Sequence, residues 1–387
     1  MQELYYGRGS DDENERLIDF LDEIFFENDK KPFGFRDLLP KIYKPESRPA
    51  HNNFIVRQSD GKFRAAVGTF YNEFSAGSET LRAYCIGNVG VGKKYRSMGY
   101  MKELMNIAVD DMIKSDADFA YLGGNRHRYA YFGFEPGGIR YRFCFHRDKI
   151  KHSLGENPSS LSVKPLQKND EKNLEFIKNL YEKNPVHSVR KNEELFYILR
   201  SWNRQPYVFF DGEKPIGYFM CKGNIGFAAE LTLTEEKYFP DAVKSIFEMS
   251  EEKEIAFFSA EFEKEKLEFL IKNADEYSLG CDEASLILNF KKCVTALLKA
   301  KASYEKLCDG EISFLIHGLK GDEKFTLGVK DNSVRVADFS GEAQAELNLL
   351  EAERLFFAPA SEKRKNLPPE IQQWFPLPMY IFEADKM

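Results

Sequence analysis

An α/β (α+β) protein with several mixed sheets is expected from three features of this 387-residue chain. Short aromatic and β-branched runs alternate with segments of helical period. The order strand, helices, hairpin, strand, helix, strand occurs twice, over about residues 1–150 and 160–290. The chain also exceeds the roughly 250–300 residues at which one hydrophobic core stops growing, so two or three domains are expected.

In the first cycle, Leu4–Tyr6 reads as a strand. Asn14–Phe26 reads as a helix, because Leu17, Phe20, Leu21, Ile24 and Phe25 fall on one face. A loop through Lys31-Pro32-Phe33-Gly34 precedes a short helical piece ending at Pro40. Asn53–Gln58 and Phe63–Tyr71 flank Asp60-Gly61, a hairpin signal, and Thr80–Val91 is the next strand. In the second cycle the strands are Leu161–Pro165, Tyr207–Phe210, Pro215–Cys221, Phe227–Leu233 and Ile255–Ala260. Its helices are Glu171–Glu182, Glu194–Trp202 and Asp241–Met249. The last hundred residues break the pattern. A helix at Lys292–Lys301 leads to strands at Glu311–His317, Lys324–Val329 and Ser333–Ala337, then a helix at Leu350–Phe357. The end, Trp374 to Phe382, is almost wholly apolar and therefore needs a packed path.

Composition narrows the function. Hydrophobic residues at 43% and charged residues at 30% describe a soluble globular chain. No run approaches the roughly 18 apolar residues of a membrane span. Met1 to Asp12 lacks a basic region followed by an apolar run, so no secretory signal is expected. A net charge of −7 is a poor footprint for a nucleic-acid binder and suits a cationic or neutral small partner. The six cysteines have no CxxC spacing and no Cys/His cluster forms a zinc template, so reduced thiols, a cytoplasmic location and no metal are expected. HExxH and GxSxG are absent.

The chemistry concentrates in Gly87 to Leu104. A Walker A loop from Gly87 through Gly92-Lys93 fails at Lys94, which replaces the magnesium-holding hydroxyl. The competing pattern is the pyrophosphate loop of acyl-CoA-dependent N-acyltransferases. Val91 ends a strand, Arg96-Ser97-Met98-Gly99 turns, and a helix follows with Met101, Leu104, Met105, Ala108, Val109, Met112 and Ile113 on one face. A helix N-terminus aimed at such a loop binds phosphate without a metal. Arg96 adds charge-assisted bonds, and Gly99 permits close backbone approach. Downstream, a strand at Phe119–Leu122 ends in Gly123-Gly124, followed by Tyr129-Ala130-Tyr131-Phe132-Gly133-Phe134 and a strand at Tyr141–His146. Tyr129 is the candidate acid for a leaving thiolate, and Tyr131 is its near competitor.

These residues resemble the GNAT superfamily of N-acetyltransferases and, more narrowly, the enhanced intracellular survival (Eis) family. The resemblance spans the whole chain. It rests on Val89-Gly90-Val91, Arg96-x-x-Gly99, Tyr129-x-x-x-Gly133-Phe134 and Trp374-Phe375-Pro376-Leu377-Pro378. It implies a GNAT domain over residues 1–155, a degenerate GNAT domain over 156–291, and a smaller sterol-carrier-like α+β domain over 292–387. Lys93 stands where GNAT loops often have Pro, Met101 where many have Gly or Ala, and Ser97 at a position often basic. Lys93 and Lys94 are then the alternative phosphate grip. The central domain has Thr234-Glu235-Glu236-Lys237-Tyr238 where a phosphate loop would lie, so a structural role is expected of it.

The expected reaction is acetyl transfer from acetyl-CoA to a primary amine of a cationic small molecule, aminoglycoside- or polyamine-like, or of a lysine side chain. Val89, Gly90, Val91, Lys93, Lys94, Arg96, Ser97, Gly99, Tyr100 and Gly124 are the expected acetyl-CoA residues. Backbone amides around Val89 and Val91 would polarise the thioester. The resemblance assigns proton removal to the α-carboxylate of Met387, while His127 is the one base close in sequence to the motif. Acidic Glu27, Asp29 and Asp37 are candidates to attract a cationic acceptor. The resemblance also implies a homo-oligomer, a hexamer. The alternative is a non-catalytic acyl-CoA sensor, or a carrier of an apolar ligand in the C-terminal domain.

Overall fold

The computed structural model describes residues 4–26, 34–223, 225–339 and 341–387. Among the described residues, three sheets organise the α/β fold. The first has eight strands, in the spatial order Leu4–Arg8, Asn53–Gln58, Phe63–Ala76, Glu79–Val91, Phe119–Leu122, Ala284–Ile287 and Glu135–Pro136, with Val186–Ser188 added on Phe63–Ala76. The second has seven: Glu276–Gly280, Arg140–His146, Glu254–Ser259, Phe227–Leu233, Lys214–Cys221, Gln205–Asp211 and Ser162–Pro165. The third has four: Ser333–Asp338, Gly321–Lys330, Gly310–Gly318 and Ala345–Asn348.

Alternation along each strand supplies both faces of the first sheet with a core. Val56, Ala65, Val67, Ile86, Ala120 and Leu122 pack beneath the helix Tyr100–Lys114, whose Leu104, Met105, Ala108 and Met112 are fully buried. Ile55, Ala66 and Phe70 pack against Leu17 and Leu21 of the helix Asn14–Phe26. Phe74, Ala83, Cys85, Phe119 and Tyr121 join a third cluster with the helix Phe290–Ala302, the four-stranded sheet and the apolar tail. Trp374 and Leu377 of that tail are fully buried.

The two larger sheets repeat one plan. In the first, Glu79–Val91, the helix Tyr100–Lys114 and Phe119–Leu122 form a strand–helix–parallel strand crossover. In the second, Phe227–Leu233, the helix Phe239–Glu248 and Glu254–Ser259 do the same. Both central strands carry a bulge at the equivalent place. Ala66 pairs with Gly90 and Gly68 with Gly87, so one extra residue is accommodated, and Asn88 has φ 55°. Tyr218 pairs with Thr232 and Met220 with Ala229, and Glu230 has φ 54°.

The first two sheets do not divide at the linear boundary expected at residues 155/156, whereas every strand of the four-stranded sheet lies beyond 291/292. Arg140–His146 leaves the first unit and pairs with Glu254–Ser259. Ala284–Ile287 returns from the second unit and pairs with Phe119–Leu122. Each unit thus lends the other the strand that closes its crossover. Among the described residues, no helix is long and apolar enough to cross a membrane.

Candidate active site

The strands Glu79–Val91 and Phe119–Leu122 pair only from Ala83↔Phe119 to Cys85↔Tyr121. Beyond Cys85 they separate, so the stretch to Val91 has no ladder partner on that side among the described residues. The bulge at Asn88 turns the strand at this point, and the Asn88 side chain is tied to the Tyr43 hydroxyl. Val89, Gly90 and Val91 are all half-buried there. Gly90 lies close under the helix Asn14–Phe26, where a Cβ on it would be 2.2 Å from Ile24 Cδ1 and would displace that side-chain end.

The loop after Val91 begins with a single helical turn at Lys93–Tyr95 and reaches the helix through Gly99, whose φ is 83°. No neighbour lies within 4 Å of a Cβ built on Gly99, so its backbone conformation, not crowding, selects glycine. The free N–H groups of the first helical turn face this loop. A cavity of about 340 Å³ opens here, lined among others by Val91, Ser97, Gly99 and Tyr100. Those four expected cofactor residues are brought together, and Arg64 donates to the Tyr100 hydroxyl at 2.8 Å. Lys93, Lys94, Arg96 and Gly124 are exposed and stand outside this lining. Two cations that the sequence reading passed over, Lys102 and Arg128, do line it. Their signal was positional: Lys102 occupies the first turn of the helix, and Arg128 immediately precedes Tyr129.

Tyr129 and Tyr131 separate clearly. Tyr131 is 64% exposed, with Lys102 Nζ 4.9 Å above its ring, and it lines the 340 Å³ cavity. Tyr129 is 7% exposed and closes a short helix, Arg126–Tyr129. A Cβ on Gly124 would meet Tyr129 Cε2 at 2.5 Å, so the ring lies directly on the glycine that follows Phe119–Leu122. Burial pushes the Tyr129 phenol up, with Arg128 pulling the other way. The group therefore keeps its proton at neutral pH. His127 is exposed.

A second cavity, of about 370 Å³, lies between the first sheet, the second unit and the chain end. Cys85, Tyr121, Lys41, Glu194, Asp385 and Met387 contribute to its wall. Met387 sits against Gly87, where a built Cβ would be 3.5 Å from Met387 Cβ. The preceding residues are held by buried charge. Asp385 accepts from Arg190 Nε and NH2, both at 2.9 Å, and from the Tyr181 hydroxyl at 2.8 Å. Arg190 also grips both oxygens of Glu230, the bulge residue of the second sheet, at 2.7 and 2.9 Å. Glu383 meets Arg140 at 2.6 Å, Lys386 at 2.9 Å and Arg204 at 3.0 Å. Burial opposes the Glu383 charge, but Lys386, Arg140 and Arg204 hold its carboxyl below the usual range. Lys41 Nζ donates to the carbonyls of Ala384 at 2.8 Å and Lys386 at 2.7 Å. Burial lowers the Lys41 ammonium to about 8, against the pull of Asp385. Burial likewise pushes the Cys85 thiol up to about 12.

Of the acidic residues expected to attract an acceptor, Glu27 and Asp29 lie outside the described residues. Asp37 is exposed on the short helix Phe35–Leu38 and does not line either cavity. The loop Lys31-Pro32-Phe33 also lies outside the described residues, apart from its last member, Gly34.

Residues 6–137 match the model of the acetyltransferase (GNAT) domain. No curated protein sequence matches the chain. Among solved structures, a GCN5-related N-acetyltransferase from Anabaena variabilis is 15% identical, with all of both chains covered and a TM-score of 0.69. A conserved protein of unknown function from Enterococcus faecalis, described as a probable N-acyltransferase, is 14% identical, covering 92% of this chain and 90% of that one at a TM-score of 0.67. Eis1 from Mycobacterium abscessus is 10% identical over the whole of both chains, with a TM-score of 0.64. At such identities the likeness is one of fold. Residues 6–137 thus match an acetyltransferase (GNAT) domain, within a fold that these solved structures share along nearly the full length of the chain.

Proposed function

We propose that this protein transfers an acetyl group from acetyl-CoA to a primary amine of a cationic small molecule, aminoglycoside- or polyamine-like, or of a lysine side chain. One observation carries the reading. The bulged strand Glu79–Val91 parts from Phe119–Leu122 directly beside a glycine-led helix N-terminus. That gap offers unpaired backbone groups for an extended pantetheine arm, and the helix N-terminus offers amides for a pyrophosphate. Ser97, Gly99 and Tyr100 support the phosphate end with Lys102 and Arg128, and exposed Lys93, Lys94 and Arg96 flank it.

In the proposed reaction the amine nitrogen attacks the thioester carbonyl and the carbon–sulfur bond breaks. Amides near Val89 and Val91 stabilise the developing oxyanion. Tyr129 gives its proton to the departing thiolate, for which its retained proton suits it. The α-carboxylate of Met387 orients the ammonium and receives its proton. The second unit and the chain end act together here: Arg190 and Glu230 fix Asp385, two residues before the terminus. A cytoplasmic homo-oligomer, a hexamer by resemblance, belongs to the same proposal. So do a degenerate GNAT unit over 156–291 and a sterol-carrier-like unit over 292–387. The test is thiol release from acetyl-CoA across polyamines, aminoglycosides and lysine peptides. Amine-dependent release supports the reading, and none with any amine sinks it.

A further inference from the structure

The 370 Å³ cavity has an unusual charge inventory. Its side-chain carboxylates are already committed. Both oxygens of Glu194 lie 2.5 Å from Lys44 Nζ. Asp385 is held by two hydrogen bonds from Arg190. Arg190 serves two carboxylates, Asp385 and Glu230, so that triad carries one excess negative charge. Lys41 offsets it: Asp385 favours its charged form, and its Nζ is spent on two tail carbonyls.

Two charges on the wall are left over. Arg48, an exposed side chain at the cavity mouth, donates only to carbonyls of its own loop, Ser47 O at 3.2 Å and Glu46 O at 3.4 Å, and pairs with no carboxylate among the described residues. The Met387 α-carboxylate, the proton acceptor of the proposed reaction, has no cationic partner among them either. An acceptor with a second cationic group finds no free side-chain carboxylate on this wall. An acceptor with one amine and one anionic group finds a partner for each.

We propose that the acceptor of this acyl transfer is zwitterionic, its amine directed to the Met387 end of the cavity and its carboxylate or phosphate to Arg48. The proposal rests on the acyl-transfer reading and narrows it, favouring a lysine-type amino acid over a polyamine. An ion pair of this kind contributes mainly to selection between acceptors, because a partner lacking the anion leaves Arg48 merely solvated.

The experiment uses acceptors that differ only in the anion: L-lysine against cadaverine, L-ornithine against putrescine, and phosphoethanolamine against ethylamine. Thiol release with the full-length protein gives kcat/KM for each. The expected preference for the anion-bearing member is about 2- to 5-fold, the range of an exposed ion pair. Whether the carboxylate or the phosphate pair shows the larger ratio identifies the anion. Arg48→Ala should bring the ratio towards one, and Arg48→Glu should invert it. Calorimetric titration of lysine and cadaverine into the CoA-loaded protein reads the same discrimination without turnover. A protein that releases no thiol yet binds lysine over cadaverine through Arg48 would refute the acyl-transfer reading alone. Equal or better use and binding of cadaverine, or a ratio untouched by both Arg48 variants, would overturn the zwitterion proposal.

Discussion

Arg190 and Asp385, 195 residues apart in sequence, meet through two parallel hydrogen bonds of 2.9 Å in a site where Arg190 is 1% exposed. The guanidinium also stacks over the Tyr181 ring at 3.6 Å. This contact joins the second unit to the chain end. Its geometry is fork against fork, the arrangement in which arginine and carboxylate bind most strongly.

Removing Arg190 should therefore be costly. Arg190→Met leaves Glu230 and Asp385 facing each other in a buried site without their cation. A loss of about 3–5 kcal/mol is expected from urea unfolding, as for other broken buried pairs. The residues after Phe382 should also become cleavable by carboxypeptidase. A variant as stable as the parent, with a protected tail, would show that the pair does not hold the chain end.

The position of the terminus should matter more than the side chain it carries. Met387→Leu keeps the carboxylate and the apolar contact with Gly87, and should retain activity. A few residues added after Met387 displace the carboxylate, and turnover should fall while the melting temperature changes little. Equal turnover of extended and native chains would transfer the proton-accepting role elsewhere, with Asp385 and Glu383 the next groups to test.

Tyr129→Phe keeps the ring against Gly124 and removes only the hydroxyl. Turnover should fall by roughly 10²–10⁴-fold with CoA affinity nearly intact. Tyr131→Phe is the control, because Tyr131 lines the 340 Å³ cavity under Lys102. If Tyr131→Phe shows the loss in turnover and Tyr129→Phe does not, the acid lies two residues further on.

Lys41 gives a pH signature of defined sign. Its ordinary value of 10.5 falls to about 8 in the folded protein. Between those values the native state has released a proton that the unfolded chain still holds. The unfolded state binds more protons, so this group makes stability rise with pH across that window. Lys41→Met abolishes the contribution. The stability difference between parent and variant should shift in the parent's favour by about 1–3 kcal/mol from pH 8 to pH 10. A difference that stays constant would mean that Lys41 titrates near its ordinary value.

Local signals reached a long way in this chain. The helix Asn14–Phe26 and the strands Asn53–Gln58, Phe119–Leu122 and Phe227–Leu233 have the bounds that their periodicity gives. The strand, glycine turn and helix from Glu79 to Lys114 were equally legible, because spacing of apolar residues and a left-handed glycine are properties of neighbours in sequence. The helix Lys264–Asn273 and the strands Val186–Ser188 and Glu276–Gly280 were not read from the sequence. Glu276–Gly280 is exposed along its whole length and shows no alternation to detect.

Tertiary structure alone decided how the units join. Tyr141–His146 reads as an ordinary strand and Ala284–Ile287 was not read as one, and nothing in either segment says that it completes the other unit's sheet. The bulges at Asn88 and Glu230 are set by ladder partners on a neighbouring strand, and the commitment of Glu194 and Asp385 by Lys44 and Arg190. Backbone pairing and buried ion pairs act between segments far apart in the chain, so they leave no period in the sequence. The residues that speak of phosphate binding were visible because the loop is local. The wall of the 370 Å³ cavity was not, because the first unit, the second unit and the last residues form it together.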